Sequence, residues 1–123
     1  MTDRNRVRVE APGGAVVFAG DAPFALICGP CQIESRDHAM TLAERIAAIA
    51  RGAGAPLVFK ASYDKANRTS LTGARGVGIE EGLAILAEIR REVGVPVLTD
   101  VHSEAQCAQA AEAVDVIQIP AFL

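Results

Sequence analysis

Short apolar runs alternate with longer amphipathic stretches along most of this chain, and that alternation predicts an architecture before any motif is considered. Residues 24–28 form an apolar run that reads as a first core strand. Residues 36–51 follow as a helix, with Leu42, Ile46 and Ile49 at helical spacing and Gly52 as its stop. A second strand is expected over 56–61. Beyond it, Ile79, Leu83, Leu86 and Ile89 share one helical face, closed by Gly94 and Pro96. Residues 95–99 give a third strand, Ser103 with Gln106 a capping-box signature for a short Ala-rich helix to Ala113, and 115–119 a fourth strand. Ahead of these, residues 7–9 and 15–18 alternate around Ala-Pro-Gly-Gly and predict a β-hairpin. The organisation is therefore a hairpin over 1–20 and a β-α-β-α-β-α-β unit over 21–123. Such a unit implies a parallel sheet with right-handed crossovers.

Composition agrees. Half of the 123 residues are apolar, but with four Phe, one Tyr and no Trp the core must be built from Ala, Val, Ile and Leu, as in helices packed on a parallel sheet. The length suits one domain. A net charge of -3 gives no general attraction to nucleic acid or to an anionic membrane. No apolar stretch approaches the ~20 residues that span a bilayer, and the polar start lacks a signal-peptide core, so a cytoplasmic protein is expected. Three cysteines, an odd number, read as thiols with local roles.

The polar candidates fall after the strands: Cys31 after the first, Lys60 and its loop after the second, Asp100 and His102 after the third, Gln118 at the end of the fourth. Ligands of parallel α/β folds bind at these carboxyl ends. The stretch Phe59-Lys-Ala-Ser-Tyr-Asp-Lys-Ala-Asn-Arg-Thr-Ser70 holds both lysines of the chain, one arginine and three Ser or Thr hydroxyls, a set suited to phosphate or carboxylate. A solvated charged loop is the plainer alternative. The interleaved Ala61 and Ala66, and Asp64 between the lysines, favour a shaped site. Cys28-Gly-Pro-Cys31 has the spacing of a thioredoxin redox motif, but it lacks the preceding Trp and its helix starts only near Arg36. Cys28 is expected to be buried, and Cys31 exposed and able to serve as a metal thiolate. Cys107 reads as a small buried hydrophobe and His38 as an ordinary helical histidine. Gly76-Val-Gly78 with Gly82 lacks the strand that a dinucleotide fingerprint needs. His102 beside Asp100 pairs an imidazole with a carboxylate, either facing substrate or bonded to each other.

Gly29-Pro-Cys-Gln-Ile-Glu-Ser35, the lysine stretch, Arg75-Gly-Val-Gly78, Leu98-Thr-Asp-Val-His102 and Gln118-Ile-Pro-Ala-Phe-Leu123 together resemble the 3-deoxy-D-manno-octulosonate 8-phosphate synthase family. Tyr63, where Phe is common, and Ser103, where Glu is frequent, are mild departures. The resemblance implies a (β/α)8 TIM barrel, of which this chain would supply the first four strands and three helices. It also implies condensation of phosphoenolpyruvate with D-arabinose 5-phosphate for lipopolysaccharide biosynthesis. By motif, Lys60, Lys65 and Asp100 would be catalytic. Ser62, Asn67, Arg68, Thr69, Ser70, His102 and Gln118 would join them in binding the two substrates. Cys31 would be the ligand of a divalent metal ion, as in the metal-dependent class; the other class carries Asn there. The resemblance further implies that the full-length protein is a homo-oligomer, expected to be a tetramer. The synthase of the seven-carbon sugar of aromatic biosynthesis is the nearer alternative, and its usual Lys-Pro-Arg differs from Lys65-Ala-Asn-Arg68. A barrel of this kind needs ~250 residues. The chain alone is therefore expected to be an inactive, self-associating fragment, with one His, one Glu and one Asp of the metal site lying elsewhere.

Overall fold

The computed structural model describes residues 5–64 and 77–121. A hairpin of β1 (Val7–Val9) and β2 (Val16–Phe18) precedes β3 (Leu26–Cys28), α1 (Arg36–Ala53), β4 (Leu57–Lys60), α2 (Ile79–Val93), β5 (Val97–Asp100), α3 (Glu104–Ala111) and β6 (Val116–Gln118). The last four strands form one parallel sheet in the order β3-β4-β5-β6, so each crossover helix connects neighbouring strands. This mixed α/β arrangement is consistent with part of a barrel of the expected type. Pro56 and Pro96 stand just ahead of β4 and β5, where a missing N–H costs nothing, and their carbonyls accept from Leu26 and Phe59 at 2.8 and 2.9 Å.

Strand alternation divides the core between two faces. Phe59, Val97 and the partly buried Ile117 pack with α1 and α2 through Ala39, Ala43, Leu83, Leu86 and Ile89. Val58 and Leu98, with Val116 beside them, pack on the other face against Val16 and Phe18 of the hairpin. The hairpin is anchored at its tip, where Gly13 N–H donates to the Gly94 carbonyl at 2.8 Å. A Cβ on Gly13 would lie 2.7 Å from that oxygen, so only glycine permits the approach. At the same end Asp115 is a further tie. It accepts from Arg90 Nε at 3.0 Å and from the Val97 N–H at 2.9 Å, while Arg90 Nη2 reaches the Glu10 carbonyl at 3.3 Å.

Several boundaries and faces differ from the sequence expectation. Helix α1 runs through Gly52 to Ala53 and ends at Gly54, whose φ of 70° supplies the left-handed cap. Its buried face is Ala39, Met40, Ala43, Ala47 and Ala50, whereas Ile49 is 72% exposed. Two stripes of the helix satisfy the same period, and the smaller side chains let α1 approach the sheet and α2. For α2 the expected face is the buried one, and Gly94 caps it. Cys28 is exposed instead of buried, as is Ile27, because β3 is an outer strand of the described sheet, and the exposed Phe24 precedes that strand, which begins at Leu26 instead of residue 24. Cys107 is half-buried, its thiol 3.7 Å from the Ser103 carbonyl, and α3 ends at Ala111 instead of Ala113.

Two helical glycines give opposite expectations. Gly52 has nothing within 4 Å of an added Cβ, so Gly52→Ala should stabilise the chain by about 0.5 to 1 kcal/mol through helix propensity. A Cβ on Gly82 would fall 2.3 Å from Tyr63 Cβ, a clash with the buried root of the side chain instead of its flexible end. Gly82→Ala should therefore destabilise, by roughly 1 to 3 kcal/mol despite the same propensity gain. Urea unfolding of the two variants beside the parent checks both signs.

Candidate functional site

The alternation that buries Val58, Leu98 and Val116 under the hairpin brings Lys60, Asp100 and Gln118 to the same face two residues later, at the carboxyl ends of β4, β5 and β6. Asp100 and Gln118 are register partners, and the Gln118 carbonyl accepts from Val101 N–H at 3.1 Å. Lys60 pairs with Leu98 and is half-buried. Three of the polar residues expected at strand ends are thus on adjacent strands and on one face.

The Gly-Pro-Cys segment joins them through an irregularity. Cys28 pairs with Phe59, and four residues later Gln32 bridges Ser62, only three residues beyond Phe59. The surplus residue makes a bulge over 29–31. It changes which face the chain presents: Gln32 comes to the side of Ser62, and Ile33 enters the helix-side core fully buried, its N–H donating to the Ser62 carbonyl at 2.9 Å. Gly29 lies so close to β4 that a Cβ there would sit 1.8 Å from the Lys60 carbonyl oxygen. Cys31 is exposed at the end of this bulge. It precedes the first residue of α1, Arg36, by a segment containing the N-cap Ser35, so no helix N-terminus bears on either thiol as a thioredoxin-type site requires.

Beyond the strand ends lies a buried polar network. Asp100 accepts from the Ser62 hydroxyl through Oδ1 and bonds His102 Nε2 through Oδ2 at 2.8 Å. Ser62 is fully buried and Asp100 nearly so, a placement that an acidic side chain tolerates only when donors face it. His102 thus shares Asp100 with Ser62, and it stands at the strand-end face as well as in a pair. Gln106 completes the network: its Oε1 accepts from the Tyr63 hydroxyl at 2.7 Å and from the His102 N–H at 2.8 Å. The capping box expected at Ser103 does not form, since Ser103 makes no side-chain cap bond and Gln106 is engaged one residue earlier. Gln106 and Tyr63 are the residues that sequence reasoning missed as parts of this site. A lone tyrosine in a chain so poor in aromatics was the available signal.

Lys65, Asn67, Arg68, Thr69 and Ser70 lie outside the described residues. The chain on either side of them is held together, because Gly78 N–H donates to the Tyr63 carbonyl at 3.3 Å and Gly82 packs on the Tyr63 side chain. Among the described residues no three His, Cys, Asp or Glu side chains gather as a metal site would need. Cys31 can offer one ligand, and the described residues alone do not make a metal centre. No helix among them is long and apolar enough to cross a membrane.

Burial, and after it the charge of Asp100, pushes the Tyr63 hydroxyl up to about 12 from its ordinary 10.0. Because the folded chain resists this ionisation, the contribution is fully present below pH 10 and is lost as pH rises from 10 toward 12. Tyr63 is the chain's one tyrosine and there is no Trp, so tyrosinate absorbance reports it alone. The folded chain should titrate near pH 12, and in denaturant near 10.

Comparison with known proteins places these features. The DAHP synthetase I family model matches residues 6–123. Curated proteins named 2-dehydro-3-deoxyphosphooctonate aldolase are similar over 110 to 123 residues of the chain. That of Bartonella bacilliformis is 61% identical over 110 residues, covering 89% of this chain and 39% of the relative. That of Granulibacter bethesdensis is 64% identical over 110 residues, with the same 89% and 39% coverage. The protein of Rhizobium meliloti is 50% identical over 123 residues, covering 100% of this chain and 44% of its own length. The chain therefore spans 39 to 44% of the length of these relatives. Since the family match takes in the hairpin, the bulge and all four parallel strands, the chain belongs to the DAHP synthetase I family.

Proposed function

We propose that the protein of which this chain forms part is a 3-deoxy-D-manno-octulosonate 8-phosphate synthase serving lipopolysaccharide biosynthesis. In that reaction the three-carbon enol of phosphoenolpyruvate forms a carbon-carbon bond to the aldehyde of D-arabinose 5-phosphate, water is taken up and inorganic phosphate leaves. The observation that carries the reading is the meeting of Lys60, Asp100 and Gln118 on one face at three adjacent strand ends, beside the Ser62, Asp100 and His102 network. The names of these relatives, octonate aldolases, favour the eight-carbon product.

The chemistry fits those side chains. Two phosphorylated anions repel each other, and cationic side chains at the strand ends, Lys60 with Lys65 and Arg68 of the lysine stretch, would offset that repulsion while orienting them. Lys60 would hold phosphoenolpyruvate, its ammonium stabilising negative charge that develops as the bond forms. Asp100, fixed by Ser62, would accept hydrogen bonds from the sugar hydroxyls, and Gln118 would line the pocket beside it. His102 would present its remaining ring nitrogen to substrate. Lys65, Asn67, Arg68, Thr69 and Ser70 would anchor the phosphate of the pentose. Cys31 would give one thiolate to a divalent metal of the metal-dependent class, its other ligands coming from outside the described residues. We place the enzyme in the cytoplasm as a homo-oligomer, a tetramer, and regard the 123 residues alone as insufficient for turnover. The description of the matching family supports a second reading, the synthase of the seven-carbon product.

Carbon counting separates the two readings. Phosphate release from phosphoenolpyruvate by the whole protein should require the five-carbon aldose phosphate; dependence on a four-carbon aldose phosphate would favour the second reading, and release with neither would remove both. Lys60→Ala should lower kcat/KM by at least about a hundredfold, as loss of a charge-stabilising contact does. Cys31→Ser should make turnover insensitive to added divalent metal at a low residual rate, whereas Cys28→Ser should leave most of it.

A further inference from the structure

The glutamine three residues after a helix N-cap ordinarily turns back to the N–H of that cap residue, here Ser103. Gln106 instead accepts from the N–H of His102 at 2.8 Å and from the Tyr63 hydroxyl at 2.7 Å. The amide orientation follows from chemistry, because a backbone N–H can be received only by the oxygen, and that oxygen obliges the Tyr63 hydroxyl to donate. Tyr63 is itself fixed: it is buried, its carbonyl holds Gly78 N–H, and its Cβ abuts Gly82. Its ring lies 5.6 Å from the imidazole of His102 at an interplanar angle of 43°. His102 is therefore held at three points, by Gln106 at its backbone, by Tyr63 at its ring and by Asp100 at Nε2.

We propose that Gln106 is a positioning residue of the strand-end site, which through its two hydrogen bonds fixes His102 on Asp100 and ties that turn to the chain at Tyr63. Its bearing on turnover rests on the synthase reading, but the clamp itself does not. A glutamine serving only to start α3 would have no reason to bridge two other elements. The bridge joins His102, two residues after β5, to Tyr63, three residues after β4, and side chains from these same two stretches form the Ser62, Asp100 and His102 network.

The test compares Gln106→Leu, Gln106→Glu and Tyr63→Phe with the parent in an isotope-labelled protein. In Gln106→Leu the His102 amide should lose at least about tenfold of its hydrogen-exchange protection relative to Val101, whose N–H is bonded to Gln118, and the Nε2–H signal of His102 should shift or broaden. Gln106→Glu keeps an oxygen in place and should hold protection within about threefold. Should Gln106→Leu not fold, Tyr63→Phe decides. It should leave the His102 amide protected while moving the imidazole signal, and an unmoved imidazole would overturn the proposal. So would unchanged His102 protection in Gln106→Leu. In the whole enzyme Gln106→Leu should raise the KM for the aldose phosphate about tenfold with the KM for phosphoenolpyruvate nearly constant, and Gln106→Glu should restore it. An inactive parent with altered His102 signals in Gln106→Leu defeats the synthase reading and leaves the clamp standing; an active parent whose Gln106→Leu changes neither KM defeats the positioning role.

Discussion

A nearly buried carboxylate, Asp100, is the constraint on which the candidate site depends. Its two oxygens face two different pieces of chain, Ser62 beyond β4 and His102 beyond β5, and each supplies a donor. Removing either partner would leave a buried acceptor short of a hydrogen bond, at a cost of about 1 to 3 kcal/mol. The carboxylate therefore ties the two strand ends together beyond the backbone ladder below it. Tyr63 and Gln106 repeat the connection one layer further out, from the same two stretches of chain.

The sheet makes this possible because it has two differently covered faces. Helices α1 and α2 cover one with Leu, Ile and Ala, and the hairpin covers the lower part of the other through Val16 and Phe18. Its upper part is where Lys60, Asp100 and Gln118 emerge. The hairpin is held to the amino end of the sheet by Gly13 on Gly94, and Arg90 links it to Asp115 at the same end. The bulge over 29–31 extends the polar face to β3. Without the surplus residue, regular alternation would exchange the environments of Gln32 and Ile33, sending a buried aliphatic to the polar side.

The β-α-β-α-β-α-β order was legible because period-2 and period-3.6 patterns, separated by Gly and Pro, do not compete in this chain. The face of α1 was less legible, since the Leu42, Ile46 and Ile49 stripe adjoins the Ala39, Ala43, Ala47 and Ala50 stripe at the same period: Ile46 does pack on the core, but the buried face centres on the alanines and Ile49 is exposed. What decides is how closely the helix must approach its neighbours, a tertiary property. Exposure of Cys28 depended on β3 being an outer strand, which no local pattern encodes. The strand-end positions of Lys60, Asp100 and Gln118 were readable from where apolar runs stop. The role of Gln106 was not, because a capping box and a bridge to His102 leave the same letters in the sequence. Lys65, Asn67, Arg68, Thr69 and Ser70 lie outside the described residues, so their expected roles stand on the motif alone.

The central claim is that the carboxyl ends of β3 to β6 form one anion-binding face organised around Asp100. The most direct test is a titration of the isotope-labelled protein with phosphoenolpyruvate, followed through backbone amide shifts. The account predicts perturbations concentrated at residues 29–33, 60–64, 100–102 and 118, and their loss in Asp100→Ala. Shifts concentrated instead at the opposite end of the sheet, around Gly13, Arg51 and Gly94, or none at all at millimolar ligand, would contradict it.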